Sequence, residues 1–203
     1  MLDLDPGTIF VIVLRVTVPL TILRYPVGGV IISLALDGLH MPIAYVTNTL
    51  LNVPEESFVG RHDYHSMDKW LDVYFLSLAA LVSRRWGTTG FRATSFSLLF
   101  LRIVGVSIFY ITGIRMVLFF FPNVYEFFYP YSAAARKWAP HLFPGTLVRL
   151  VALVSIAGAL KLVQEYFQHV SELGVGSIIT LVTPFELPYP TLWESVLSLF
   201  EKR

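Results

Sequence analysis

The chain has 203 residues, of which 55% are hydrophobic and 14% charged, and its net charge is +1. A soluble domain carries roughly 25% charged residues, and the mean hydropathy here is +0.66, so the composition predicts an integral membrane protein. The small net charge provides no basic field for a nucleic acid partner. The sequence contains no cysteine, which excludes disulfides, thiolate catalysis and cysteine-ligated metals.

The N-terminal stretch "MLDLDPG" is acidic, and no small-residue cleavage site follows the first apolar run. Cleavable signal peptides have a basic start and such a cleavage site. We therefore expect the first hydrophobic segment to remain in the protein as a membrane helix.

Five segments are long and apolar enough to be predicted as membrane spans, since a span needs about 20 such residues. They are residues 7–24, 28–51, 65–84, 91–121 and 145–169. Pro42 is expected to kink the second span. The fourth is long enough to tilt or to project from the bilayer. Residues 1–172 are thus predicted to form one transmembrane helix bundle.

Two further stretches are predicted to lie at the membrane surface. The aromatic-rich residues 121–145 suit the headgroup region and indicate an interfacial helix or a re-entrant turn. The tail, 173–203, has apolar residues at helical spacing in "PTLWESVLSLFEKR", which is typical of an amphipathic surface helix. A sixth span through 175–190 is an alternative. The predicted fold is therefore an all-α polytopic bundle of about five spans, or six, with interfacial amphipathic helices.

The distribution of Lys and Arg in the short loops predicts the orientation. One side would carry Arg24, Arg84, Arg85, Arg92, Lys202 and Arg203, and the other Arg61, Arg136 and Lys137. The first side is expected to be cytoplasmic. The sequence thus predicts a multi-pass protein of the cytoplasmic membrane with its N-terminus outside.

Several ionisable residues fall inside the predicted spans, where each costs at least about 2.5–3.5 kcal/mol on insertion scales. They include Arg15, Asp37, His40, Asp68, Lys69, Asp72 and Arg102. His65, Asp68 and Asp72 are spaced i, i+3 and i+7 on the third span and share one helix face. Asp37 and His40 are spaced i and i+3 on the second, so the two helices are expected to face each other across a polar cavity.

Three interpretations of this cavity stay open. It is a structural ion-pair network in which Asp37, Asp68 and Asp72 are neutralised by Arg15, Lys69 and Arg102. Alternatively, His40, Asp68 and Asp72 hold a divalent metal, since facing helices of bundles carry carboxylate and imidazole ligands. The third interpretation is a proton- or ion-coupled pathway.

A second polar stripe lies at the end of the fifth span. Lys161, Glu165 and His169 are spaced i, i+4 and i+8. They either snorkel to the interface or form an ion pair with Glu126.

Two short matches resemble the CDP-alcohol phosphotransferases, membrane enzymes whose carboxylates bind metal ions. "LALDGLHMP" contains the Asp-Gly pair of the family's pattern, and "SMDKWLD" contains its D-x3-D pair, Asp68 and Asp72. Leu34 replaces the first aspartate of the pattern. The two halves are 31 residues apart, which is farther than the pattern has them.

A longer stretch of the chain resembles an uncharacterised family of bacterial multi-pass membrane proteins. The carrying segments are "RYPVGGVIISLALDGLH", "YHSMDKWLDVYFLSLAAL", "LRIVGVSIFYITGIRMVLFFFPNVYEFFYPY" and "KLVQEYFQHV". The family stretch Tyr-x-x-Tyr-Asp-Lys-x-Leu-Asp-x-Tyr-Tyr matches at Tyr64, Asp68, Lys69, Leu71, Asp72 and Tyr74. The resemblance implies the helix bundle and the same polar stripe, and it assigns no activity.

The sequence therefore carries two hypotheses on function and leaves open whether the protein is an enzyme. In the first, the cavity binds a cation or a polar headgroup, as in a transporter or a lipid-modifying protein. Its candidate residues are Arg15, Asp37, His40, His65, Asp68, Lys69, Asp72 and Arg102. In the second, the network is structural and the protein is an accessory subunit that binds other membrane proteins within the lipid bilayer.

Overall fold

A computed structural model describes residues 4–54, 61–114 and 116–169, and within these ranges all regular secondary structure is helical. The α-helices are α1 Pro6–Thr17, α2 Pro26–Leu50, α3 Arg61–Ser83, α4 Thr89–Thr112, α5 Met116–Phe120, α6 Tyr125–Trp138 and α7 Leu147–His169. A 3₁₀ helix, Val18–Leu23, continues α1, and a second, Pro140–Leu142, follows α6. The predicted tail, 173–203, with its surface helix and the optional span 175–190, lies outside the described residues.

Four of the described helical segments are long and apolar enough to cross a membrane. They are Pro6–Leu23, Pro26–Leu50, Thr89–Thr112 and Leu147–Gln164. They match the first, second, fourth and fifth predicted spans in place. α3 has the length of a span, but its Asp68, Lys69 and Asp72 make it too charged to join this group.

The predicted fourth span, 91–121, is not one helix. α4 ends at Thr112 because Gly113 adopts a left-handed φ of 67° and its N–H donates to the Phe109 carbonyl. Glycine takes this conformation without the Cβ clash that other residues meet, so it commonly terminates helices. The short α5 begins three residues later, at Met116.

The aromatic segment after α5 lies in the core of the described residues, and its place at the membrane interface or in a re-entrant turn stays a prediction. Tyr125, Phe128, Tyr129 and Ser132 of α6 are each at most 1% exposed. α6 packs against α2, α3, α4 and α7. Tyr, Phe and Trp suit a headgroup region and a packed core equally well, so composition alone did not separate the two.

Hydrogen bonds connect the start of α1 to the end of α2. The Asn48 side chain accepts from the Gly7 N–H at 2.7 Å and donates to Asp5 Oδ1 at 2.6 Å. A Cβ on Gly7 would collide with the Ala44 carbonyl oxygen, so glycine permits this close approach. The two helices are therefore antiparallel neighbours.

The other end of α1 lies among basic residues, and we call it the arginine end. Ile22, Trp86 and Leu150 share one core cluster there, which brings together the α1–α2, α3–α4 and α6–α7 connections. Arg24, Arg84, Arg85, Arg92, Arg136, Lys137 and Arg149 flank these connections. Arg136 lies 5.5 Å from the centre of the Trp86 ring. The sequence had assigned Arg136 and Lys137 to the side opposite Arg84 and Arg85.

α5 and α6 together return the chain from the far end of α4 to the arginine end. Phe121, just after α5, packs against Gly105 of α4. The Tyr125 hydroxyl then lies 2.8 Å from the Ser95 hydroxyl, more than two helical turns closer to the start of α4. This return path is a discontinuous helix with a break at residues 121–124.

Candidate functional site

Arg15 lies at the centre of the largest charged cluster among the described residues. It is on the buried face of α1 and is 4% exposed. Its Nη1 donates to Asp68, and its Nη2 donates to Asp37 and, at 2.8 Å, to Asp72. One guanidinium thus joins α1 to α2 and α3, as its fork of five N–H donors allows.

α3 supplies three members of the cluster from one stretch. Asp68 and Asp72 are one helical turn apart, so both carboxylates face Arg15. The Lys69 ammonium lies 2.8 Å from Asp68 Oδ2 and 3.9 Å from Asp72 Oδ2. The second cation therefore lies between the same two carboxylates.

Arg102 closes the cluster from α4. Its Nη2 lies 3.3 Å from Asp72 Oδ2, and the residue is 3% exposed. Its Nε and Nη1 are buried and have no hydrogen-bond partner among the residues that the structure describes. A buried guanidinium whose donors are only partly used is unusual, because buried polar groups are nearly always paired.

His40 lies on the α2 side of the cluster, one turn beyond Asp37. Its Nδ1 contacts the Asp37 backbone carbonyl, and its Nε2 lies 3.9 Å from Asp68 Oδ1. The imidazole therefore lies between α2 and α3.

Exposure changes across the cluster. The side chains of Arg15, Arg102, Asp68 and Asp72 are at most 6% exposed, and we call these four residues the floor. The side chains of Asp37, His40 and Lys69 are 28%, 20% and 20% exposed, and we call these three the rim. The charge cluster, meaning floor and rim together, is thus buried at the floor and partly exposed at the rim.

The charges of the cluster balance. Three aspartates face Arg15, Lys69 and Arg102, so the net charge is zero when all three aspartates are counted as ionised and His40 as neutral. Buried charges are stable only when they are paired and hydrogen-bonded. The aspartates are therefore contacted by their predicted counter-charges, Arg15, Lys69 and Arg102.

A divalent metal could be held by Asp37, His40 and Asp68, whose ligand atoms lie within 4.8 Å of one another. The sequence had proposed Asp72 in place of Asp37, but Asp72 contacts Arg15 and Arg102. Carboxylate and imidazole suit several divalent metals. A metal here would compete with Arg15, which already contacts both carboxylates.

Two predicted site residues stand apart. His65 belongs to the first turns of α3, and its side chain lies outside the described residues. Lys161 of α7 lies 2.5 Å from Glu126 of α6, which is the ion-pair alternative considered for that stripe. The side chains of Glu165 and His169, the other members of the stripe, are also outside the described part.

The pair of Lys161 and Glu126 belongs to a second polar group that the sequence did not anticipate as a whole. Asn123, in the break between α5 and α6, donates to Glu126 at 3.4 Å, and Gln164 lies 3.3 Å from the Lys161 ammonium. The sequence signal was a polar residue directly after Pro122 in an otherwise apolar run.

Comparisons with protein-family profiles, with curated proteins and with solved structures found no match.

Proposed function

We propose that this is a multi-pass protein of the cytoplasmic membrane whose charge cluster binds a cation or a polar headgroup. The observation that carries the proposal is the exposure gradient along one connected ion-pair network. Its floor is buried, whereas the side chains of Asp37, His40 and Lys69 are partly exposed at the rim. A network that served packing alone gains nothing from a half-open edge within apolar helices, where exposed charge is costly.

The helix order supports six crossings. α1 with its 3₁₀ continuation, α2, α3, α4 and α7 would each traverse the bilayer once. The broken helix α5–α6 would supply a further crossing, since it leads from the end of α4 back to the arginine end. Broken helices are tolerated at membrane depth where they are buried in protein, as α6 is.

The basic residues support an orientation with the arginine end in the cytoplasm. Loops on the cytoplasmic side carry an excess of Lys and Arg. Arg136 and Lys137 now join Arg84 and Arg85 at that end, so the excess is larger than the sequence alone indicated. The N-terminus would then be outside.

The depth of the cluster supports access from the outer side. Asp68 is seven residues from the start of α3, which corresponds to about 10 Å at 1.5 Å per residue. Asp37 is 13 residues from the end of α2, or about 20 Å. Both helix ends lie opposite the arginine end, so the cluster would be a mid-membrane site reached from outside.

The content of the purified protein tests this proposal. Wild type, Asp37→Asn and Glu126→Gln would be compared by plasma mass spectrometry for metals and by native mass spectrometry for retained small molecules and lipids. Glu126→Gln is the matched control, because it removes an acid from the other ion pair. We expect a metal or molecule that wild type and the control retain and Asp37→Asn loses. The same content in all three proteins would refute a ligand site at the rim.

The second candidate function is that of an accessory subunit whose charge cluster only holds the helices together. The balance of three acids and three bases favours it, since such a network needs no ligand. The resemblance to an uncharacterised bacterial membrane family fits either function and stays a proposal. Co-purification of a stoichiometric membrane partner, with no retained ligand, would support this second candidate.

A further inference from the structure

We propose that the ligand of the charge cluster is a short zwitterion, with its oxyanion on Arg102 and its ammonium group at Asp37. This inference rests on the proposed function and names the chemical class of the ligand. Three features of the cluster support it: the unused donors of Arg102, the accessible carboxylate of Asp37, and the charge balance.

Arg102 provides the anion half. Its Nη2 takes the longest of the arginine–aspartate contacts, 3.3 Å, to a carboxylate that Arg15 and Lys69 also approach. The buried Nε and Nη1 remain unpartnered among the described residues. Each of these two N–H groups forms an edge of the guanidinium together with Nη2, which carries two hydrogens, and Asp72 needs only one of them. One edge therefore remains to match the paired oxygens of a carboxylate or phosphate.

Asp37 provides the cation half. It is the most exposed aspartate of the cluster, and Arg15 contacts it through Oδ1. An ammonium group can donate to a carboxylate at this rim without removing Arg15 from the floor. Arg15 Nη2 also contacts Asp72, and Asp72 contacts Arg102, so one aspartate and one arginine separate the two halves.

A ligand with a single charge is less compatible with this charge balance than a zwitterion is. With all three aspartates ionised, the cluster is neutral without a ligand, so a lone cation or anion would leave one uncompensated charge in a poorly hydrated site. Such charges are expensive to bury. A zwitterion brings both signs and leaves the total at zero.

Two sources share this chemistry: a free solute such as an amino acid, and the headgroup of an aminophospholipid. Calorimetric titrations of the protein in phosphatidylcholine nanodiscs would use glycine and glycerophosphoethanolamine as zwitterions. Ethanolamine and inorganic phosphate would serve as the single-charge halves. A separate arm would compare phosphatidylethanolamine with phosphatidylcholine retained in native mass spectra, because only the former offers N–H donors to Asp37.

We expect at least one zwitterion to bind on the order of tenfold or more tightly than either half, as hydrogen bonds to charged groups allow. Arg102→Lys keeps the charge beside Asp72 but removes the guanidinium edge, so it should abolish that preference. Asp37→Asn should weaken the zwitterion and ethanolamine together, and Glu126→Gln should change neither. Because Asp37→Asn tests the other half, the inference stays testable if Arg102→Lys folds poorly.

The contrary outcomes separate the two proposals. If ethanolamine binds as tightly as the zwitterions and Arg102→Lys behaves as wild type, the zwitterion inference is wrong and the cation site stands. If no probe binds and neither lipid is retained by wild type, the zwitterion inference is wrong, and the proposed function then stands or falls on the metal content of the purified protein.

Discussion

At the scale of single residues, Arg15 is the side chain on which the cluster depends. It is the contact shared by all three aspartates, and it comes from a helix that offers the site no other charge. Replacing one partner of a buried ion pair is strongly destabilising, because the remaining charges are left uncompensated.

We expect Arg15→Met to lower the free energy of unfolding by about 3–5 kcal/mol. Denaturant unfolding of the protein in lipid nanodiscs would measure this. Arg92→Met is the matched control, since Arg92 is exposed in the first turn of α4, and it should stay within about 0.5 kcal/mol of wild type. Equal values for the two variants would mean that Arg15 does not hold the cluster together.

The sequence predicted the membership of this cluster better than its geometry. Charges inside apolar segments stand out, so Arg15, Asp37, Asp68, Asp72 and Arg102 were found without a structure. It did not predict that Asp37, rather than Asp72, would join His40 and Asp68. Helical spacing gives the face on which a residue lies, but the rotation and tilt that bring two faces together depend on packing.

At the scale of elements, the broken helix α5–α6 is the least expected feature. It depends on Gly105, where an added Cβ would overlap Phe121 just after α5. Glycine at this position lets the returning chain lie directly against α4. A residue with any side chain would push the break away from α4.

We expect Gly105→Ala to destabilise the protein by about 1–3 kcal/mol, the usual cost of overpacking a core. Gly28→Ala is the matched control in α2, because nothing lies within 4 Å of a Cβ there. The control should be neutral or more stable by up to about 1 kcal/mol. A thermal unfolding series in nanodiscs would compare the two. A neutral Gly105→Ala would show that the break does not pack closely on α4.

Sequence patterns found the other long helices because apolar runs of span length have few alternatives. The patterns predicted α4 and α5 as one span, 91–121, although Gly113 is a helix-termination signal within it. The patterns also did not predict the hydrogen bond between Asp5 and Asn48 that connects α1 to α2. Polar residues near helix ends usually face solvent, and only the fold shows when they pair with each other.

At the scale of the whole molecule, the arginine end sets the proposed orientation. The stacking of Arg136 on Trp86 requires α6 to finish on the same side as the connection between α3 and α4. The sequence alone had placed these two segments on opposite sides of the membrane.

Because the natural chain has no cysteine, single cysteines can report sidedness directly. We expect Arg85→Cys and Lys137→Cys to be protected from a membrane-impermeant thiol reagent in intact cells. Asn52→Cys, beyond the end of α2, should react. All three positions are exposed, so permeabilised cells provide the control for reactivity. Labelling of Lys137→Cys together with Asn52→Cys would contradict the six-crossing arrangement.

The most direct test of the central claim compares the unfolding free energies of Asp37→Asn and Asp72→Asn. If the rim binds a ligand and the floor holds the helices, Asp37→Asn should lie within about 1 kcal/mol of wild type, because Arg15 keeps its two other acids. Asp72→Asn should lose about 3–5 kcal/mol, since two buried arginines lose a shared anion. An equal and large loss in both variants would contradict the account and identify the whole cluster as structural.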